Sequence, residues 1–211
     1  MMTNKKITTL FLDIGGVLLS NGWGHEFRHL AAEKFHLDKA EMDHRHRLMF
    51  VTYEEGKISL DEYLERVVFY QERDFTRENF RNFMFSLTSP NTDMIELITK
   101  LKEKYKLKVI VVSNEAREMN EHRIQKFQLN SFVEFFVSSC FVHLRKPDTD
   151  IFRLAIDGAQ VPVEEIVYID DTQMFVDIAS DLGITSIRHT DFLSTSAALA
   201  KLGLQISEGE I

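Results

Sequence analysis

The chain has a single cysteine, Cys140, so no disulfide can close within it, and this usage fits a reducing cytoplasm. No apolar run approaches the ~18 residues that a membrane span would need. Positive charge is in the minority: 25 Lys and Arg stand against 33 Asp and Glu, a net charge of -8. That balance argues against a general affinity for nucleic acid or for an anionic membrane. It leaves small anionic ligands open, because local charge can oppose the net value. Repeats, low-complexity tracts and Gly/Ser-rich linkers are also missing. Lys5 and Lys6 precede an apolar stretch as in a secretion signal, yet Asp13 interrupts that stretch and no small-residue cleavage site follows. The expectation is a soluble cytoplasmic protein, a monomer or a homodimer.

The 211 residues, 44% of them hydrophobic, suit one large domain or a domain with an insertion. Five short runs rich in Ile, Val and Phe stand at 7–12, 108–113, 132–137, 166–170 and 184–188. Near-continuous apolarity over such lengths is expected of strands covered on both faces. Helical patterns at 116–128, 149–159 and 173–182 separate the later runs, which implies α/β architecture with a doubly wound parallel sheet. Residues 20–88 break the alternation with helical stretches at 24–36, 39–50, 59–72 and 76–86. Ser59 and Glu62 form a capping box before the third. This segment reads as a helical insertion of 20–88 into a core of 1–19 and 89–211, with the core resuming in a helix at 91–105.

Ligands in an open parallel sheet bind beyond the carboxyl ends of its strands. Four stretches place polar residues there. "DIGGV" ends the first run with Asp13, and its glycines Gly15 and Gly16 suit a turn. A carboxylate at the tip of a buried strand also needs a partner charge, a metal ion or several donors. "VVSN" ends the second run with Ser113 and Asn114, which fit either helix capping or anion binding at a helix start. "LRKPDTD" carries Lys146 before a proline, with Asp148 or Thr149 as a helix cap, and the lysine is either a solvated charge or a phosphate contact. "YIDD" sets Asp170 beside Asp171, a repulsive pair that a divalent cation would relieve.

These four stretches, in this order, resemble the motifs of the haloacid dehalogenase-like hydrolase superfamily, and residues 20–88 resemble a helical cap inserted after the first motif. The resemblance implies a Rossmann-like core and a phosphatase acting on a small phosphate ester, a sugar phosphate among the candidates. Asp13 would be the nucleophile that forms an aspartyl-phosphate. Mg²⁺ would be held by Asp13, the Gly15 carbonyl, Asp171 and, through water, Asp170. Ser113, Lys146 and amides near Gly16 and Asn114 would bind the phosphate.

One departure from the family pattern bears on mechanism. Most phosphatases of the family place a second Asp two residues after the nucleophile, where it protonates the leaving group. Here that position is Gly15. General acid–base help is worth ~10²–10⁴-fold in rate, so three outcomes follow: a substrate with a good leaving group, a proton from elsewhere, or a protein that binds without turnover. Haloacid dehalogenation, which needs neither metal nor acid, is the competing enzymatic reading, and a non-catalytic phosphate-binding protein is the reading from another class. Trp23 and His25 stand where the chain enters the insertion, as substrate contacts or as packed and solvated side chains. His44 and His46 in "DHRHR" read as a solvated face, and Phe75, Phe80, Phe83 and Phe85 as helical core.

Overall fold

The computed structural model describes residues 6–206; Lys5 and the outer ends of the segments 1–19 and 89–211 lie outside them. Five parallel strands run in the order β3-β2-β1-β4-β5: β1 (Thr9–Leu12), β2 (Lys108–Ser113), β3 (Phe135–Ser138), β4 (Ile166–Asp170) and β5 (Thr185–Arg188). The apolar runs become these strands because side chains alternate between two covered faces. Leu10 and Leu12 join Val109, Val111, Val167 and Ile169 on one face. Phe11 joins Ile110, Val112, Ile166 and Tyr168 on the other. Helices α5 (Thr92–Tyr105) and α10 (Phe192–Lys201) cover the first face, and α8 (Thr149–Ala159) and α9 (Gln173–Asp181) the second. The parallel α/β reading therefore holds, and α10 adds a helix beyond the expected ones, started by Asp191, whose side chain accepts from Ser194 N.

Between β1 and α5 lie α1 (His25–Lys34), α2 (Lys39–Glu54), α3 (Leu60–Val67) and α4 (Arg77–Ser86). They form a separate apolar cluster with Tyr63, Leu64, Phe80 and Met84 at its centre. Phe75, Phe83 and Phe85 pack on it partly buried. The Ser59–Glu62 capping box starts α3 as expected. That helix ends at Val67 rather than near residue 72, where Arg73 Nε donates to the Val68 carbonyl at 2.8 Å and satisfies it outside the helix. The chain leaves and re-enters the core through paired crossings. Ser20 N donates to Ser89 O, Ser89 N to Ser20 Oγ and Asn91 N to Leu18 O, at 2.8, 3.0 and 2.8 Å.

The helical cluster also packs on the core through Ala116 and Met119, the latter on α6 (Arg117–Lys126). Arg123 of that helix is fully buried, ion-paired to Glu115 at 2.7 Å, and donates to Ser20 O at 2.6 Å, which fixes one crossing. A short helix, α7 (Ser139–Val142), follows β3 and touches α2.

Candidate active site

Because β1 is central and flanked by β2 and β4, the carboxyl ends of these three strands bring Asp13, Ser113 and Asp170 together. Lys146, on the segment after α7, completes the group. Its Nζ lies 3.0 Å from Asp13 Oδ1, 2.5 Å from Asp170 Oδ2 and 3.1 Å from the Tyr168 hydroxyl. The lysine is therefore not a solvated surface charge; it is 1% exposed between two carboxylates. The Tyr168 hydroxyl also donates to Asp170 Oδ2. Sequence reasoning missed this tyrosine, although its position two residues before Asp170 on a strand puts both side chains on one face.

Burial pushes the Asp13 carboxyl up, Lys146 pulls it down and Asp170 pushes it up again, leaving it near 7. Burial opposes the charge on Lys146, but Asp13 and Asp170 outweigh it and hold the ammonium above the usual lysine range. One oxygen each from Asp13, Asp170 and Asp171 lie within 4.8 Å of one another. Such an all-oxygen set suits a hard divalent cation. Asp170 is the most engaged of the three, since Thr172 N donates to its Oδ1 at 2.7 Å while Lys146 and Tyr168 take Oδ2. Among the described residues the Asp171 carboxylate accepts only the Thr172 hydroxyl, at 3.1 Å, its backbone carbonyl accepts from Arg188 Nε at 3.4 Å, and the Gly15 carbonyl accepts no hydrogen bond. The residues fit a cation held by Asp13, Asp171 and that carbonyl.

The two glycines have different reasons to be there. Gly16 has φ +74, and a Cβ there would stand 2.1 Å from Asp171 Oδ2, so backbone and carboxylate both require glycine. Gly15 has no such constraint. A Cβ there would meet Asn21 Oδ1 at 3.3 Å, which a small shift of that side chain relieves, and the Asn21 Cα and Gly22 N at ordinary contact distances of 3.7 and 3.8 Å. Neither the backbone nor a close contact at the Cβ position therefore requires glycine at residue 15.

Ser113 and Asn114 do not cap α6, whose N-cap is Ala116 without a side-chain bond. Ser113 Oγ accepts from Ile14 N at 3.4 Å. The Asn114 carboxamide accepts from Lys146 N at 2.8 Å and donates to Lys146 O at 2.9 Å, so it holds the lysine's backbone in place. Its side chain is thereby engaged, and its backbone amide makes no hydrogen bond to the described residues. Asp148 caps α8, with its side chain accepting from Asp150 N.

Asp13, Gly15, Lys146 and Asp171 line a cavity of about 620 Å³ that Trp23, just before α1, and the helical residues Phe27, Arg28, His46, Phe50 and Glu54 also line. Trp23 Nε1 donates to the Tyr63 hydroxyl at 2.9 Å, and its ring meets Phe80 edge-on. His25 lines the cavity from an exposed position near Lys39 Nζ. His44 is exposed as expected, but His46 is not on a solvated face. It is 6% exposed, with Nδ1 2.8 Å from the Tyr63 hydroxyl. Its spacing of four from buried Met42 turns it inward, a helical signal that outweighs the charged neighbours. Burial first, then Arg28, push its pKa down to about 4. Arg28 pairs with Asp43 at 2.8 Å; burial raises that carboxyl, but hydrogen bonds from Lys39 and Arg28 hold it at about 2.

The family model for haloacid dehalogenase-like hydrolases matches residues 19–188, and the chain belongs to that family. The matched span begins beyond Asp13 and Gly15. Flavin mononucleotide hydrolase 1 of Arabidopsis thaliana chloroplasts is 25% identical over 169 residues, covering 80% of this chain and 68% of that protein. Bifunctional epoxide hydrolase 2 of Rattus norvegicus is 27% identical over 127 residues, 58% of this chain, and the chain spans only 23% of its length. Among solved structures, a HAD family enzyme from Bacteroides thetaiotaomicron, in complex with magnesium and inorganic phosphate, superposes with TM-score 0.73 at 22% identity over 86% of this chain and 93% of that one. A HAD-like hydrolase from Porphyromonas gingivalis gives 0.75 at 19% identity over 95% and 99%. At these identities the likeness establishes the fold.

Proposed function

We propose that this hydrolase is a Mg²⁺-dependent phosphatase that cleaves a small phosphomonoester through an aspartyl-phosphate on Asp13. The observation that carries the reading is the cluster of Asp13, Asp170 and Asp171 at the strand tips, with Lys146 paired to the first two. The magnesium and phosphate bound by the Bacteroides enzyme, and the phosphate ester named for the Arabidopsis relative, support it. Mg²⁺ would be held by Asp13, Asp171 and the Gly15 carbonyl, and would supply positive charge that favours ionised Asp13 and offsets the charge of the phosphate. Asp13 then attacks phosphorus. Lys146 and the Asn114 and Gly16 amides orient the phosphate oxygens, and Ser113 steadies the Asp13–Ile14 turn. Residues 20–88 act as the cap: they wall the cavity, exclude water and choose the leaving part, with Trp23 and His25 at its mouth.

Mg²⁺-dependent release of inorganic phosphate from a panel of sugar, nucleotide and acid phosphates tests the reading. Chelation abolishes it, and Asp13→Asn lowers it by more than about 10⁴-fold. Full activity in that variant removes the nucleophile. Dehalogenation draws its support from Gly15, because halide displacement needs no acid. Halide release without Mg²⁺ would establish it instead.

A further inference from the structure

We propose that Glu54, at the end of α2, is the proton donor that replaces the acid absent at Gly15. The inference rests on the phosphatase reading above. Glu54 lines the same cavity as Asp13 and Gly15. Arg145, adjacent in sequence to Lys146, donates Nε and Nη2 to one carboxyl oxygen, Oε2, at 3.2 and 2.9 Å. The other oxygen, Oε1, has no hydrogen-bond partner among the described residues. The carboxyl is thus fixed at one oxygen and free at the other, with its side chain 15% exposed.

The position is rigid because α2 ends on the core. Ser139 Oγ donates to Glu54 O at 2.7 Å, and His143 Nδ1 reaches Glu55 O at 2.6 Å. Gly56 lies so close to α7 that a Cβ there would stand 2.3 Å from Cys140 O. Burial raises the Glu54 carboxyl more than Arg145 lowers it; Glu115 raises it further and Lys146 lowers it, leaving it near 7. A carboxyl poised there holds a proton that it can give at neutral pH. The other buried cavity carboxyl on this side, Glu115, is held by Arg123, itself fully buried and tied to Ser20.

The proton balance closes over two steps. An Asp13 oxygen bonds to phosphorus while the bond from phosphorus to the leaving oxygen breaks, its electron pair staying on that oxygen. Glu54 gives its proton to that oxygen, the alcohol departs, and the new carboxylate faces Arg145. Water then attacks phosphorus, its proton passes to Glu54, and Asp13 is released with inorganic phosphate.

The test compares an alkyl phosphate, whose leaving oxygen needs a proton, with p-nitrophenyl phosphate, whose leaving oxygen does not. Glu54→Gln keeps the Arg145 hydrogen bond and is expected to lose ~10²-fold more turnover on the alkyl ester than on the aryl ester. Gly15→Asp added to that variant restores alkyl turnover. Gly15→Asp alone, which leaves Glu54 untouched, gains less than about tenfold, because an acid is already present. Equal losses on both esters, or a ~10²-fold gain from Gly15→Asp alone, overturn the role of Glu54 while leaving the phosphatase intact. Failure of the unaltered protein to release phosphate from either ester with Mg²⁺ overturns both.

Discussion

Two regions supply carboxyl groups to one cavity and hold them by different means. At the strand tips, Asp170 is gripped by Lys146, Tyr168 and Thr172 N, and Asp13 shares the same lysine. In the helical layer, Glu54 has one arginine on one oxygen. At the tips two buried carboxylates share one buried ammonium and can share a cation with Asp171. Glu54 has a single, partly exposed arginine as counter-charge and lies outside that cluster, and burial leaves it near 7, as it leaves Asp13.

The largest break in this contrast comes at Lys146. Lys146→Met leaves Asp13 and Asp170 buried without their counter-charge and is expected to cost about 3–5 kcal/mol, read from urea unfolding. Mg²⁺ should recover part of the loss by binding Asp13 and supplying positive charge beside Asp170. Gly56→Ala comes next. Its left-handed backbone (φ +65) and the approach to Cys140 O predict a loss of about 1–3 kcal/mol. Alkyl phosphate turnover should fall with it as the seam under Glu54 shifts. Arg145→Met should cost only about 1 kcal/mol, because a protonated Glu54 needs no counter-ion. A cost equal to that of Lys146→Met would erase the distinction between the two regions.

The smallest effect is a pH dependence at His46. Its folded pKa, about 4, lies below the usual 6.5, so between those values the unfolded chain binds a proton that the folded chain refuses. Its contribution to stability is present above 6.5 and is lost as pH falls toward 4. Asp13 and Glu54, raised toward 7, act in the opposite sense over an overlapping range. The comparison is therefore between the unaltered protein and His46→Asn. The variant should lose less stability, or gain more, on acidification from pH 6.5 to 4, and parallel profiles would exclude the effect.

The core was legible because its signals are local. A buried strand declares itself as a short apolar run, and a polar residue at its tip is visible at the last position, as at Ser113 and Asp170, or at the next, as at Asp13. The capping box at Ser59 and Glu62 is equally local. The helical layer was legible as helices, and through the family resemblance as a cap, but not in which of its side chains face the cavity. His46 reads as one of several charged or polar neighbours until the packing of Met42 and Tyr63 shows which side faces inward. Tyr168 reads as one more apolar strand residue until Lys146 arrives beside it.

Chain order and alternation of apolar runs were enough to specify a parallel sheet, the ends at which chemistry collects, and the absence of a side chain at residue 15, because each depends on residues near one another in sequence. Which charges meet depended on folding. Lys146 reaches Asp13 across 133 positions, and Arg145 reaches Glu54 across 91. Pairings over such separations leave no periodic trace, and their strength comes from removing both partners from water, which only the packed structure does.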